Sequence, residues 1–322
     1  MTRDWRVVPI EELRLSELKS LLEQQAAEWR SALFWDFKRT AIHTFFLAEL
    51  RALTGSALLN ADGRAAGYAC FEFQGRSAEF THFYVAPEFR SIDANTCLLS
   101  HALRQLTPEV DHIVAAPAIP HQIELGELSL LPQIHQCVAE QAPISHVGPG
   151  FAGRKSHAAV AIRPWHEAYE RQAAQIIPAS YSGHIEAGLD GFDRSVAAAA
   201  DYLAGVIHFQ TTFPFLPEAS FVAIRQDSGD LCGFIVAAHA LSGVAFANLL
   251  CVGPGLAEYR IGNRLTEEHR QALARMDYRT VTLRRRADHR LARFYRRLGF
   301  VKQFDQMVYE WRVPISSSRC LI

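Results

Sequence analysis

The fold of this chain is decided by one stretch, Leu250-Cys251-Val252-Gly253-Pro254-Gly255-Leu256-Ala257-Glu258-Tyr259-Arg260-Ile261-Gly262-Asn263-Arg264-Leu265. An apolar run that starts at Val244 stops at the Gly253-Pro254-Gly255 turn signal. A helical spacing of apolar residues then follows, from about Arg260 to Met276. We therefore expect a strand, a turn and a helix in direct succession.

The start of this predicted helix has the features of an anion site. A helix that begins directly after a turn points its free N–H groups and its positive dipole end at the preceding loop, where a phosphate or pyrophosphate binds. Gly262 leaves room for such a ligand to approach. Residues 260–297 contain twelve Arg and no Lys against four carboxylates. This charge fits a polyanionic ligand, but Arg-rich helix faces also serve simply as solvated surface.

Composition narrows the class of protein. With 322 residues, 49% of them hydrophobic and 21% charged, the chain has enough material for about two globular domains. A net charge of -1 gives no general case for a nucleic-acid or membrane partner. The start lacks a signal-peptide pattern, no apolar run is long enough to span a bilayer, and the six Cys form no C-x-x-C pair. We expect a cytoplasmic protein with reduced thiols and no bound metal.

The two halves of the chain resemble each other. Gly67 in a predicted strand corresponds to Gly233 at an offset of 166 residues, and Tyr84-Val85-Ala86-Pro87 corresponds to Cys251-Val252-Gly253-Pro254 at an offset of 167. A nearly constant offset across strand, turn and helix favours an internal duplication over a chance alignment of common strand signals. The glycine-bearing residues 147–153 predict a linker, so we expect one domain at 1–153 and a second at 154–322.

These features together resemble the GCN5-related N-acetyltransferase (GNAT) superfamily. The pyrophosphate loop of the family, R/Q-x-x-G-x-G/A, falls here on Ala257, Arg260 and Gly262, so only its last glycine is kept. A later family motif, N-x-x-A-x-x-hydrophobic-Tyr followed by Gly-Phe, falls on Asp288, Leu291, Phe294, Tyr295, Gly299 and Phe300. In the first half, the loop at residues 90–95 keeps Arg90 but neither glycine, and Asp93 would face the pyrophosphate.

The resemblance covers the whole chain and implies its architecture and cofactor. It implies an α+β fold of two tandem GNAT-like domains, each a mixed, mostly antiparallel sheet flanked by helices. The first domain then resembles one that has lost its cofactor, and the second would bind acetyl-CoA or another acyl-CoA. The cofactor-binding residues that it implies are Leu250, Cys251, Val252, Ala257, Glu258, Tyr259, Arg260, Ile261, Gly262, Asn263 and Asp288.

Acyl transfer from a thioester to an amine needs a deprotonated nucleophile, donors for the developing oxyanion and a proton for the departing thiolate. Backbone N–H groups at residues 250–252 would face the thioester carbonyl, provided that their strand splays from its neighbour. The resemblance gives the role of acid to Tyr295, whose alternative role is packing on an amphipathic helix.

The acceptor side is predicted at residues 181–194. The resemblance implies that this segment covers the acceptor, which makes His184 and Glu186 candidates for the catalytic base. An alternative interpretation is that His184 is simply a loop histidine and Glu186 its solvated partner. Tyr181, Asp190 and Arg194 are candidates for substrate binding, because an Arg fork can orient a carboxylate. No spacing signals a third ligand, so a metal site here is not predicted.

Three functions remain open at this stage. The first is an acyl-CoA-dependent N-acyltransferase that acts on an amine of a small molecule or peptide. The second is a non-catalytic tandem GNAT protein used for ligand binding or assembly, and the third is an aminoacyl-tRNA-dependent transferase. The near-neutral charge does not favour a nucleic acid. A homodimer is compatible with the sequence.

Overall fold

The computed structural model describes residues 5–32, 36–116, 122–145, 159–181, 195–209, 213–254, 260–289 and 291–314. The chain divides into two compact units. The first consists of Met1–Gln136 with Gln306–Ile322, and the second of Cys137–Asp305. Among the described residues, no helix is both long enough and apolar enough to cross a membrane.

The first unit is a mixed sheet with helices. Its elements are β1 (Arg6–Pro9), α1 (Leu15–Ala32), α2 (Lys38–Glu49), β2 (Gly55–Leu59), β3 (Ala65–Gln74), β4 (Ser77–Val85), α3 (Ile92–Leu106) and β5 (His112–Ala115). Neighbouring strands pair antiparallel from β1 to β4, whereas β4 and β5 are parallel. The last strand of this unit comes from the end of the chain, because residues 309–312 of β12 (Val301–Arg312) pair antiparallel with β5.

The second unit repeats this plan. Its elements are the later part of β6 (Gln133–Pro143), β7 (Val160–Pro164), α4 (Glu170–Tyr181), α5 (Val196–Ala204), β8 (Phe221–Arg225), β9 (Leu231–Leu241), β10 (Val244–Val252), α6 (Ile261–Arg275), β11 (Thr280–Arg286) and α7 (Ala292–Arg297). Strands β7 to β10 pair antiparallel, and β10 with β11 is the parallel pair. Residues 137–143 of β6 pair with β11, so this unit is closed by a strand that precedes residue 153.

The compact units therefore differ from a division into residues 1–153 and 154–322. Each unit contains a strand from the far side of residue 153: residues 306–312 in the first and 137–143 in the second. The physical reason is that a strand is placed by its hydrogen-bond register and its burial, which chain order does not determine. Trp311 illustrates this, because it is fully buried in the core of the first unit.

Strand irregularities recur at equivalent places in the two units. The β3–β4 register shifts so that Thr81 is left between paired residues, and the β10–β9 register shifts so that Asn248 is left out. These two bulges lie 167 residues apart, which is the offset found in the sequence. Bulges are specific features of a fold, so their recurrence supports the predicted duplication.

Two equivalent glycines face the same steric constraint. A Cβ on Gly67 would lie 2.5 Å from the carbonyl oxygen of Tyr84, and one on Gly233 would lie 2.6 Å from that of Cys251. Both distances are too short for any side chain, so each strand approaches its neighbour in a way that only glycine permits. The sequence match between these glycines thus has a common physical cause in both units.

The helices start differently in the two units. Ser91 caps α3, since its Oγ accepts a hydrogen bond from the N–H of Ala94 at 3.2 Å. By contrast, α6 begins after Arg260, which adopts a left-handed conformation with φ of 49° and makes no side-chain cap. Among the described residues, no side chain caps the first N–H groups of α6.

Candidate active site

A cavity of about 920 Å³ lies within the second unit. Its walls come from the later half of β10, the end of α4, the start of α6, the neighbouring strands β9 and β11, and α7. The opening exists because β10 and β11 separate. They are paired only where residues 244–246 meet residues 280–282, although β10 continues to Val252 and β11 to Arg286. The splay on which the oxyanion prediction depends is therefore present.

Two backbone N–H groups of β10 point into this cleft. The N–H of Gly253 donates to the carbonyl of Cys232 on β9 at 2.8 Å. Because successive residues of a strand point their N–H groups to opposite sides, those of Val252 and Leu250 point away from β9. The Oγ of Ser180 confirms this direction, since it donates to the carbonyl of Val252 at 3.0 Å from the end of α4.

Cys251 is directed away from the cavity. By the same alternation its backbone faces β9, and its side chain is 1% exposed within the core beneath α4 and α5. Burial raises the pKa of its thiol above the ordinary value. Buried thiols of this kind are generally unreactive, and Cys251 is not among the residues that line the cavity.

The start of α6 forms the second wall. Arg260, Ile261, Gly262 and Asn263 all line the cavity, and Arg260 is exposed. A Cβ on Gly262 would meet Phe294 and Val252 only at 3.7 Å, which is ordinary contact. The fold itself therefore tolerates a small side chain at this position, and any strict demand for glycine must come from a ligand. Ala257, Glu258 and Tyr259 lie outside the described residues.

Tyr295 lines the cavity from α7. Its half-buried ring packs edge-on against Phe300, with centroids 5.8 Å apart, and lies 6.2 Å from the ring of His289. The two roles considered for Tyr295 thus meet at one position, because the ring packs against the core and also borders the cavity.

Asp288 is held outside the cavity wall. The guanidinium of Arg286 donates to its carboxylate at 3.1 and 3.4 Å, and these hydrogen bonds keep the pKa of Asp288 below its ordinary value. The carboxylate is exposed and serves as an ion-pair partner of Arg286.

Several polar residues of the cavity were not singled out from the sequence, among them His289, Asn248 and Arg285. His289 follows Asp288 in the recognised motif, and its Nδ1 accepts a hydrogen bond from the N–H of Leu291 at 3.0 Å. Asn248 lies at the bulge of β10, which only strand register reveals. Arg285 is neutralised in the wall by the buried Glu140, which accepts from its Nε at 3.0 Å.

The acceptor side is described only in part. Tyr181 ends α4 and lines the cavity with Ser180. His184, Glu186, Asp190 and Arg194 lie outside the described residues. No group of three His, Cys, Asp or Glu is placed to hold a metal ion in the described ranges.

In the first unit, the loop and helix start at residues 90–95 correspond to those before α6, and their polar groups are bound by other groups of the protein. Arg90 donates to both carboxylate oxygens of Glu28 at 2.8 Å and also to the carbonyl of Val85. This bidentate ion pair neutralises the guanidinium of Arg90, and Ser91 caps α3. Asp93 adds a negative charge in the first turn of α3. Within the ranges that the structure describes, Arg260 has no ion-pair partner and α6 has no side-chain cap, so the two units differ at both points.

Solved structures with the same architecture define the class of fold. The chain is similar over 96% of its length to a GCN5-related N-acetyltransferase from Sphaerobacter thermophilus, with 15% sequence identity, a TM-score of 0.64 and 96% of that chain covered. A mixed sheet with one splayed parallel pair, and a helix that starts at the splay, is thus the GNAT fold.

The particular form is the tandem one. Over 98% of its length the chain is similar to a tandem GNAT protein from the clavulanic acid biosynthesis pathway, with 14% identity, a TM-score of 0.64 and all of that chain covered. It is also similar, over 97% of its length, to Saccharomyces cerevisiae N-myristoyltransferase with bound myristoyl-CoA, with 12% identity, a TM-score of 0.57 and 83% of that chain covered. No family model and no curated protein sequence matches the chain. The α+β tandem GNAT fold predicted from the sequence is confirmed.

Proposed function

We propose that the second unit is an N-acyltransferase that takes an acyl group from acyl-CoA and transfers it to an amine of a small molecule or peptide. One observation carries the proposal. The cavity opens where β10 and β11 separate, and it meets the start of α6 there, which no side chain of the described ranges caps. A ligand with an anionic end and a carbonyl group fits the two kinds of N–H donor that this corner offers.

The residues present fit a CoA thioester. The N–H groups at Ile261, Gly262 and Asn263, together with Arg260, would hold the phosphates. The N–H groups of Val252 and Leu250 would bind the extended part of the cofactor and the thioester carbonyl. Bound acyl-CoA would supply the activated acyl group. Support for this class of cofactor comes from the related fold of N-myristoyltransferase, which binds myristoyl-CoA.

The chain's own groups would then move the protons. Tyr295 borders the cavity and is the proposed donor of a proton to the leaving thiolate. His184 and Glu186 are the proposed bases, and Tyr181, Asp190 and Arg194 the proposed contacts of the acceptor. Tyr181 is the member of this group that lines the cavity within the described residues. Cys251 and Asp288 are not included, because the Cys251 side chain is directed into the core and Asp288 is paired with Arg286.

Calorimetric titration with acetyl-CoA tests the binding step. Gly262→Asp is expected to weaken binding at least about tenfold, because it places a negative charge at the start of α6. Gly262→Ala is the matched control for the backbone, since its Cβ has room in the free protein. If neither acetyl-CoA nor longer acyl-CoA binds the wild-type chain, the non-catalytic alternative is favoured. Retention of tRNA that falls with added salt would favour the aminoacyl transferase instead.

Replacement of Tyr295 tests the chemical step. Tyr295→Phe is expected to lower kcat at least about tenfold while the acyl-CoA Kd stays nearly unchanged. Tyr278→Phe is the matched control, because it removes a hydroxyl of the same unit that bonds to His239 at 2.8 Å and does not line the cavity. An unaltered kcat in Tyr295→Phe would remove this residue from the mechanism.

A further inference from the structure

Helix α2 of the first unit presents an apolar stripe to solvent. Ile42, Phe46 and Leu50 are 61%, 53% and 60% exposed. Their spacing of four residues places them on one side of the helix. The opposite side is the buried one, at Thr40 and Thr44. A row of exposed apolar side chains on one helix face is a feature that interaction surfaces share.

The same face of α2 carries a positive charge at one end and a negative charge at the other. Arg39 lies at its beginning and Glu49 at its end, and both are exposed. Within the described part of the chain, neither side chain has an ion-pair partner in its own protomer. On a helical projection the five residues Arg39, Ile42, Phe46, Glu49 and Leu50 fall within about a third of a turn. We name them the α2 face.

We propose that the α2 face binds the α2 face of a second copy of this chain in antiparallel orientation. The two-fold axis would pass the exposed side of α2 at the level of residue 44, midway along the face. It would bring Arg39 of each copy opposite Glu49 of the other. The same axis would bring Ile42 opposite Phe46 twice. Such an isologous interface is self-complementary, because every contact made by one copy is returned by its partner.

The positions of the charges favour antiparallel pairing of the two α2 helices over parallel pairing. A parallel pairing of the two helices would place Arg39 against Arg39 and Glu49 against Glu49, so that like charges meet. The antiparallel pairing gives two ion pairs flanking an apolar centre. Since α2 is only 12 residues long, the contact area is small and belongs to the weak class of interfaces. We therefore expect a dimer that dissociates on dilution.

Sedimentation velocity of the full chain without cofactor tests the proposal, over concentrations from about 1 µM to about 300 µM. Wild-type protein should shift from monomer to dimer, and Phe46→Glu should remain monomeric. The matched control is Leu131→Glu, which makes the same change at a 67% exposed residue outside α2 and should dimerise normally. Equal melting temperatures of the two variants would show that both are folded.

Charge reversal separates this pairing from other associations. Arg39→Glu alone and Glu49→Arg alone should each raise the dimer Kd roughly tenfold, because each creates like-charge contacts twice. The double variant should restore the wild-type Kd. The proposal is overturned if the wild type stays monomeric at every concentration, if Phe46→Glu still dimerises, or if the double variant is no tighter than the single ones.

Discussion

Lowering the pH from about 7.5 to about 5 should destabilise both folding units, because His82 in the first and His269 in the second are buried histidines whose pKa values are lowered. Burial lowers the pKa of His82 in the first unit from 6.5 to about 4. Burial is also the main reason that the pKa of His269 in the second unit is lowered to about 4. Each ring has one hydrogen bond, His82 Nε2 to Thr44 Oγ1 at 3.1 Å and His269 Nδ1 to the carbonyl of Ala219 at 2.7 Å. Within the described residues, the other ring nitrogen of each has no partner.

The sign and size of the effect follow from these values. Above pH 6.5 the imidazoles are neutral in both folded and unfolded chains, so their contribution to stability is fully present. As the pH falls from 6.5 towards 4, the unfolded chain binds a proton that the folded chain does not, and stability is lost. At a pH of about 5 the loss is about 2 kcal/mol for each histidine, or about 4 kcal/mol if the units unfold together.

Urea denaturation followed by circular dichroism at the two pH values measures this loss. His82→Leu and His269→Leu should each reduce the pH-dependent part of the free energy of unfolding by about 2 kcal/mol, whatever they do to its absolute value. Replacement of the exposed His43 by Gln is the control, and it should leave the pH dependence as in the wild type. If both leucine variants lose as much stability between the two pH values as the wild type, the buried histidines are not its cause.

Two further predictions concern the second unit. Gly233→Ala should cost about 1–3 kcal/mol or more in urea denaturation, because the new Cβ would lie 2.6 Å from a backbone carbonyl. Gly205→Ala, which meets nothing within 4 Å, should be neutral or slightly stabilising, and equal effects of the two would refute the steric argument. Glu140→Gln should lower the free energy of unfolding by about 3–5 kcal/mol, because it leaves the largely buried charge of Arg285 without its carboxylate. Asp227→Asn in an exposed ion pair should cost much less than Glu140→Gln, and a similar cost for both would contradict the role of burial.

The elements nearest the cavity were predictable because local signals define them. The apolar run from Val244 to Val252 became β10, and the helix expected from about Arg260 begins at Ile261. Turn residues and apolar spacing act over a few positions, so they can be read without knowledge of distant contacts. Tyr295 was assigned through the family resemblance instead, and the structure places it on α7, bordering the cavity.

Other parts of the cavity depend on contacts between distant residues. Asn248 enters the wall through a bulge in strand pairing, and Arg285 is neutralised by Glu140, 145 residues earlier in the chain. Cys251 belongs to the motif in sequence, but it faces β9 and the core beneath α4. Asp288 also belongs to its motif, yet Arg286 holds it on the surface. The bulge at Asn248 and the Glu140–Arg285 pair depend on distant strands, whereas the Arg286–Asp288 pair is local and lies only two residues apart.

The sequence by itself determined the succession of strand, turn and helix, the internal repeat and the resemblance to GNAT proteins, because these depend on residue types at short or constant spacing. Only the tertiary structure decided that residues 137–143 close the second unit and residues 306–312 close the first. It also decided that β10 and β11 separate after their first three pairs, which creates the cavity. Pairing register and burial are properties of surfaces brought together from distant parts of the chain, and local spacing does not encode them.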